Sequence, residues 1–212
     1  DIGSGTGIFS KQLLDLGAKV YGIEPNDDMR NMAEHLLKDQ PNFHSINANA
    51  EQTSLPDQSV DFVSAAQAFH WFDKDKFKRE CHRILKPEGK IILIWNAEVF
   101  GSDLFKDFGA IQAVYSPNQN PNTENNKYDP EEAFFREADA FFKKFENKTF
   151  PNDALLDKET MTLRALSSSA SPRPDNPKYE EYLNELEKLF NKHQKDGKVV
   201  YPSQTKLYIG TI

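Results

Sequence analysis

The residues best suited to chemistry open the chain. Asp1-Ile2-Gly3-Ser4-Gly5-Thr6-Gly7 alternates glycine with small or acidic neighbours, the make-up of a turn leading from a buried strand into a helix. Glycines there let the backbone approach a ligand closely. The helix N-terminus that follows presents N–H groups to an anion such as a carboxylate or pyrophosphate. The spacing discriminates between ligands. A dinucleotide fingerprint needs G-x-G-x-x-G, whereas the third glycine here comes one residue early and Ile8 takes its slot. Glu24, about twenty positions on, ends the next strand where a carboxylate can accept two hydrogen bonds from a ribose diol. It would repel a 2′-phosphate, so a free-ribose adenosyl ligand is favoured. Arg164 and Arg173 could each grip a carboxylate bidentately. Cys81 reads as a packing thiol within a helix. His35, His44, His82 and His193 show no metal-ligand spacing, so no metal is expected.

These groups need elements to position them. Residues 6–16 read as a helix with Ile8, Phe9, Leu13, Leu14 and Leu16 on its apolar face, ended by Gly17. Residues 19–24 form a strand closed by Pro25-Asn26. Asp27 or Asp28 then caps a helix carrying Met29, Met32, Ala33, Leu36 and Leu37. Residues 43–47 and Val60–Ala66 are strands, the latter after the turn Pro56-Asp57-Gln58-Ser59. A helix over 73–85 is stopped by Pro87-Glu88-Gly89. Residues 90–95 are almost wholly apolar, as for a strand covered on both faces. Strands alternating with helices at this spacing predict a parallel α/β sheet with right-handed crossovers. Beyond residue 100 the pattern predicts a helix at 103–115, a Pro/Asn-rich loop at 116–129 and a helix at 130–147. Phe134, Phe135, Phe141, Phe142 and Phe145 give that last helix an aromatic face, expected to close as a lid over the sheet's ligand edge. A Ser-rich loop at 167–174, a helix at 179–194 and one or two strands within 199–212 complete the chain.

Five stretches together resemble a known family. The glycine turn with Gly22-Ile23-Glu24-Pro25, Asn49-Ala50-Glu51 before Leu55-Pro56-Asp57, Gln67-Ala68-Phe69-His70-Trp71-Phe72 and Arg83-Ile84-Leu85-Lys86-Pro87-Glu88-Gly89-Lys90 look like class I S-adenosylmethionine-dependent methyltransferases. Within them the match is to the small-molecule branch of ubiquinone/menaquinone-biosynthesis and trans-aconitate enzymes. The resemblance implies a Rossmann-like fold with a mainly parallel sheet of seven-stranded type and a helical lid insert. It divides the chain into a cofactor-binding core (residues 1–100), the lid (101–148) and a C-terminal part completing the core sheet (149–212). Because the sequence opens on the glycine turn, the first strand is expected to be missing or truncated.

The resemblance also assigns roles. Gly3, Ser4, Gly5 and Gly7 would line the methionine moiety of S-adenosylmethionine, with Asp1 near its ammonium group. Glu24 would take the ribose hydroxyls, Met29 would pack on the adenine, and Asn49, Ala50 and Glu51 would border its edge. Ala66 and Gln67 would face the transferring methyl. The family often has Asp where Asn49 stands, which leaves that contact's orientation open. The acceptor is expected to be a small molecule, methylated on a carboxylate or hydroxyl oxygen. A carboxylate is ionised at neutral pH and needs no base, whereas a hydroxyl would want one. His70 is the candidate for that base or for a substrate ligand, with Phe69, Trp71 and Arg173 as further substrate-site candidates. The alternative reading is a methyltransferase-like module that binds cofactor or partners without turnover.

Composition bounds these readings. With 212 residues, 26 Lys+Arg against 33 Asp+Glu and a formal charge of −7 spread over both halves, no basic stripe exists to neutralise phosphates, so no nucleic-acid partner is expected. No apolar run reaches the roughly 18–20 residues of a membrane span. A single cysteine fits a reducing cytoplasm.

Overall fold

The computed structural model describes residues 1–99, 101–116, 130–168 and 171–212, with only the backbone for 130–134. The expected 116–129 loop beyond Ser116, the side chain of Phe134, and Ser169 and Ala170 of the Ser-rich loop lie outside the described residues. Two compact units divide the chain. The first takes in residues 1–96, 129–149 and 205–212, the second residues 97–128 and 150–204.

In the first unit, helix α1 (Ile8–Asp15), strand β1 (Val20–Ile23), helix α2 (Asp27–Leu36) and strand β2 (Phe43–Ile46) follow the glycine turn. Strand β3 (Val60–Ala66), a 3-10 turn (Phe69–Trp71), helix α3 (Lys74–Ile84) and strand β4 (Leu85–Glu98) come next. β1 runs parallel to β2, and β3 parallel to β4. Residues 1–3 join the two pairs. Ile2 bridges Ile23 in parallel and its N–H donates to Ser64 O at 2.7 Å, while Ile23 N–H donates to Asp1 O at 2.9 Å. With strands β5 (Lys144–Pro151) and β8 (Ser203–Thr211) in the order β3-β4-β8-β5 on the far side, seven sheet positions result: β2, β1, residues 1–3, β3, β4, β8 and β5. The chain winds one way from residues 1–3 through β1 to β2, then returns to β3 on the other side. That reversal is a topological switch point, where ligands of doubly wound sheets bind beyond the carboxyl ends of the strands.

Several boundaries differ from the sequence expectation for local reasons. Asn26, not Asp27 or Asp28, caps α2, its side chain accepting from Met29 N–H. The stop signal Pro87-Glu88-Gly89 falls inside β4. Val60 pairs with Leu85 and Phe62 with Lys90, so residues 86–89 bulge out opposite Asp61 alone. The helix expected over 130–147 ends at Phe141 (α5, Pro130–Phe141), and strand β5 (Lys144–Pro151) follows. β8 (Ser203–Thr211) admits it through Gly210, where a Cβ would meet Lys144 O at 2.2 Å. The aromatic face of α5 is spent inside this unit. Phe141 stacks on Phe77 at 5.5 Å and meets Phe69 edge-on at 5.0 Å, while Phe142 packs on Tyr208. The residues expected as a lid are thus divided, α5 in the first unit and the helix of residues 103–115 in the second.

The second unit is helical. Helices α4 (Asp103–Tyr115), α6 (Lys158–Ser167) and α7 (Tyr179–His193) surround the short antiparallel pair β6 (Ala154–Leu156) and β7 (Val199–Tyr201). Tyr182, Leu186, Leu189 and Phe190 recur on one face of α7 and are buried, the 3.6-residue period of a core-facing helix. Ser102 and Asp157 cap α4 and α6 by accepting from Phe105 and Thr160 N–H. Of the expected closing strands, β7 is only three residues long and pairs here, while the nine-residue β8 reaches the large sheet.

Candidate active site

The glycine turn leaves the sheet at the switch point. Gly3 and Ser4 N–H both donate to Ile23 O, and Gly7 N–H donates back to Ser4 O at 2.9 Å. Gly3 has φ +67, and a Cβ there would lie 2.5 Å from the Cβ of Ala68, so conformation and space both require glycine. Gly5 has φ +55 and faces the opposite situation, with no heavy atom within 4 Å of a Cβ. The turn therefore bares its backbone at Gly5. Gly7 caps α1 without a side-chain bond, and the first turn of α1 holds no acidic residue, which leaves its N-terminal N–H groups to solvent or an anion.

Two carboxylates brace this turn. Glu24, 7% exposed, accepts Gly5 N–H on Oε2 and Asn26 N–H on Oε1, each at 2.9 Å. Each oxygen keeps a further lone pair. Asp1 accepts the Ser10 hydroxyl at 2.7 Å and the Ser64 hydroxyl at 3.4 Å. Met29, half-exposed, stands in the first turn of α2, its N–H on the Asn26 cap.

The parallel strands bring residues 49–51, Ala66 and Gln67 to the carboxyl edge of the same sheet. Residues 49–51 follow β2, with Asn49 exposed and Ala50 buried. Glu51 accepts Asp73 N–H at 2.9 Å, tying this loop to the start of α3. A second anchor was not legible in the sequence. Thr53 donates through N–H and hydroxyl to Glu80 Oε1 (2.7 and 2.6 Å), and Arg83 bridges Glu80, Leu55 O and Asp57. Burial alone would raise the Glu80 carboxyl. The Arg83 guanidinium and the two Thr53 bonds outweigh it and pull the group down to about 2.

Ala66 ends β3, and Gln67 turns the chain with φ +57, an uncommon conformation for a residue with a Cβ. Its side chain donates to Asn96 O at 3.2 Å. Phe69 is 1% exposed and lies among Phe72, Phe77 and Phe141, in the core that backs the edge. Trp71 is 81% exposed. Between Trp71 and Trp95, with ring centroids at 4.8 and 5.0 Å, sits His70. Loss of water around this imidazole lowers its pKa, Lys74 lowers it further, and Glu137 opposes them. Cys81 is fully buried and burial pushes its thiol up, which leaves it a packing residue. Arg173 is exposed in the second unit. Arg164, in the same unit, lies 4.3 Å over the Tyr201 ring and 4.0 Å from Glu98.

A glycine turn at the switch point of a doubly wound sheet, braced by an acidic strand end, defines a Rossmann-like α/β protein of class I type. Comparison with solved structures agrees. A protein of Anaeromyxobacter dehalogenans, provisionally described as a type II methyltransferase, superposes with a TM-score of 0.70 at 19% identity, over 100% of this chain and 88% of that one. The phosphoethanolamine N-methyltransferase 2 of Haemonchus contortus, solved with phosphomonomethylethanolamine and S-adenosylhomocysteine, gives 0.50 at 18% identity over 100% of this chain and 48% of its own. In sequence, residues 1–93 match the methyltransferase domain family. An uncharacterized methyltransferase of Mycobacterium bovis is 35% identical over 96 residues, which are 45% of this chain and 38% of that protein. The match thus takes in less than two-fifths of that relative's length. Over residues 1–93 the chain is thus similar to the methyltransferase domain family.

Proposed function

We propose that the chain binds S-adenosylmethionine at the glycine turn and transfers its methyl group to a small acceptor, on a carboxylate or hydroxyl oxygen. The carrying observation is Glu24. It holds the turn from behind through Gly5 N–H yet keeps accepting capacity on both oxygens for a ribose diol. The residues fit this cofactor. Space stands open at Gly5, Asp1 and Glu24 suit a ligand with ammonium and sulfonium charges, and no acidic side chain in the first turn of α1 opposes a carboxylate. When bound, the sulfonium supplies an already activated methyl group.

The chain's residues then bind, orient and exclude water. Gly3, Ser4, Gly5 and Gly7 cradle the methionine part, with Asp1 at its ammonium. Met29 covers the adenine, and Asn49, Ala50 and Glu51 edge it. Ala66 and Gln67 sit beside the methyl. On the acceptor side, His70 and Trp71 are the contacts, Phe69 backs them, and Arg173 is a candidate carboxylate ligand. His70, whose pKa is lowered by loss of water and by Lys74, favours the neutral imidazole that can take the proton of a hydroxyl acceptor. The net charge of −7 argues for a small molecule over a nucleic acid. No helix among the described residues is long and apolar enough to cross a membrane. The single, buried thiol fits a cytoplasmic setting.

Calorimetric titration of S-adenosylmethionine, S-adenosylhomocysteine and NAD tests this. The two sulfur ligands should bind in the micromolar range and NAD should not. Glu24→Ala, which removes charge-assisted acceptors, should weaken the sulfur ligands about a hundredfold. A folded protein that binds neither sulfur ligand would overturn the reading.

A further inference from the structure

Within the second unit a cavity of about 740 Å3 opens among α4, α6 and α7, inside the size range of small-molecule pockets. Its apolar walls reach the unit's core, since Leu104, Phe105, Met161 and Leu189 line it and are nearly fully buried. The opposite wall is polar. Among the described lining residues only Glu98 and Arg164 carry charge, and both are part-exposed at its mouth. Arg164 is one of the two arginines suited by type to grip a polar ligand, and the proposed methyl transfer leaves it unused.

The two charges are held apart. The Arg164 guanidinium lies 4.3 Å over the Tyr201 ring, a cation–π contact. Its Nη2 is 4.0 Å from Glu98 Oε1, too far for a hydrogen bond. The Tyr201 hydroxyl occupies that oxygen instead. Burial first, and the Glu98 carboxylate next, push this hydroxyl up to about 12, so at neutral pH it keeps its proton and donates it to Glu98 Oε1. Phe105 meets the Tyr201 ring edge-on at 5.0 Å and fixes it from the apolar side. Glu98 Oε2 is left with no donor among the described residues, and Arg164 keeps several of its five N–H groups unspent. An acceptor and a set of donors therefore stand side by side at one end of an apolar space. A ligand anion on Arg164 would be repelled by Glu98, and a ligand cation on Glu98 by Arg164. A neutral group with an acceptor and a donor on neighbouring atoms meets both without either penalty. A carboxamide is the simplest such group.

We propose that this cavity binds a small neutral molecule with an apolar body and a carboxamide end, whose carbonyl accepts from Arg164 and whose N–H donates to Glu98. The site lies wholly in the second unit and does not depend on methyl transfer. Matched probes test it, 3-phenylpropanamide, 3-phenylpropanoate and 3-phenylpropylammonium, which share a body and differ in charge. Calorimetry on the whole chain at pH 7 should show the amide binding about tenfold more tightly than either ion. Each wall charge is then removed in turn. Glu98→Gln leaves Arg164 unopposed and should make the carboxylate the tightest probe, whereas Arg164→Gln should make the ammonium the tightest. Both side chains are part-exposed, so the variants keep the buried walls, and thermal melting shows each one folded. An ion that binds wild type as tightly as the amide, no binding of the amide to folded wild type, or an unchanged order of probes in either variant would each overturn the proposal.

Discussion

Gly3 in the sheet unit and Gly109 in the helical unit are glycines for opposite reasons. A Cβ at Gly3 would strike Ala68 at 2.5 Å, whereas one at Gly109 would touch nothing within 4 Å. Polar groups divide the same way. Asp1, Glu24, Glu51 and Glu80 all have protein partners, while Gln112 Oε1 has none among the described residues. A backbone turn can be shaped for a ligand in advance because side chains brace it from behind. In the helical unit the open glycine and the unmatched amide oxygen have no such brace.

Removing a brace should have the largest effect. Glu80→Gln is expected to lower the unfolding free energy by about 3 kcal/mol at pH 7, read from urea titration. The folded Glu80 carboxyl lies near 2 against an ordinary 4.5. Its contribution is therefore full above about pH 5 and drains away as pH falls toward 2, so wild type and variant should converge there. Parallel curves down to pH 2 would mean that the Thr53 loop is not held by this charge.

Next in size is a test of the exposed edge. His70→Asn should slow methylation of a hydroxyl acceptor about a hundredfold and leave a carboxylate acceptor nearly untouched. Because the His70 pKa is lowered from 6.5, the wild-type rate should sit on its plateau at pH 7 and fall only on the acid side. Equal losses with both acceptors would reassign His70 to positioning.

The smallest effect sharpens the contrast of the two glycines. Gly109→Ala should raise stability by about 1 kcal/mol, seen as a higher melting temperature, since its methyl meets empty space. Destabilisation there would show that the helical unit is as tightly fitted as the turn.

What could be read from the sequence follows from how each unit is built. Parallel strands deliver their carboxyl ends to one edge, so local spacing could pair the glycine turn with Glu24, while residues 49–51 and Gln67 were expected there only from the family resemblance. Thr53 and Glu80 lie 27 residues apart, and nothing local to either announces the other. The Gln112–Tyr182 bond spans 70 residues and was equally hidden. Phe145 was misread for another reason. With Phe141 and Phe142 it imitates a helical stripe, and only Gly210 on a distant strand opens the room for β5. The positive φ of Gln67 left no mark in composition at all.

That conformation carries a cost of roughly 1 kcal/mol for a side chain with a Cβ, retained where Gln67 N–H still bonds Ile94 O and its amide spans to Asn96. Under the proposed methyl transfer, heat resistance and turnover pull this position apart. A library selected only for survival at high temperature should enrich Gln67→Gly, which relaxes the backbone and unpins the edge in a single step. The same library selected for methylation should keep glutamine and accept the lower melting point.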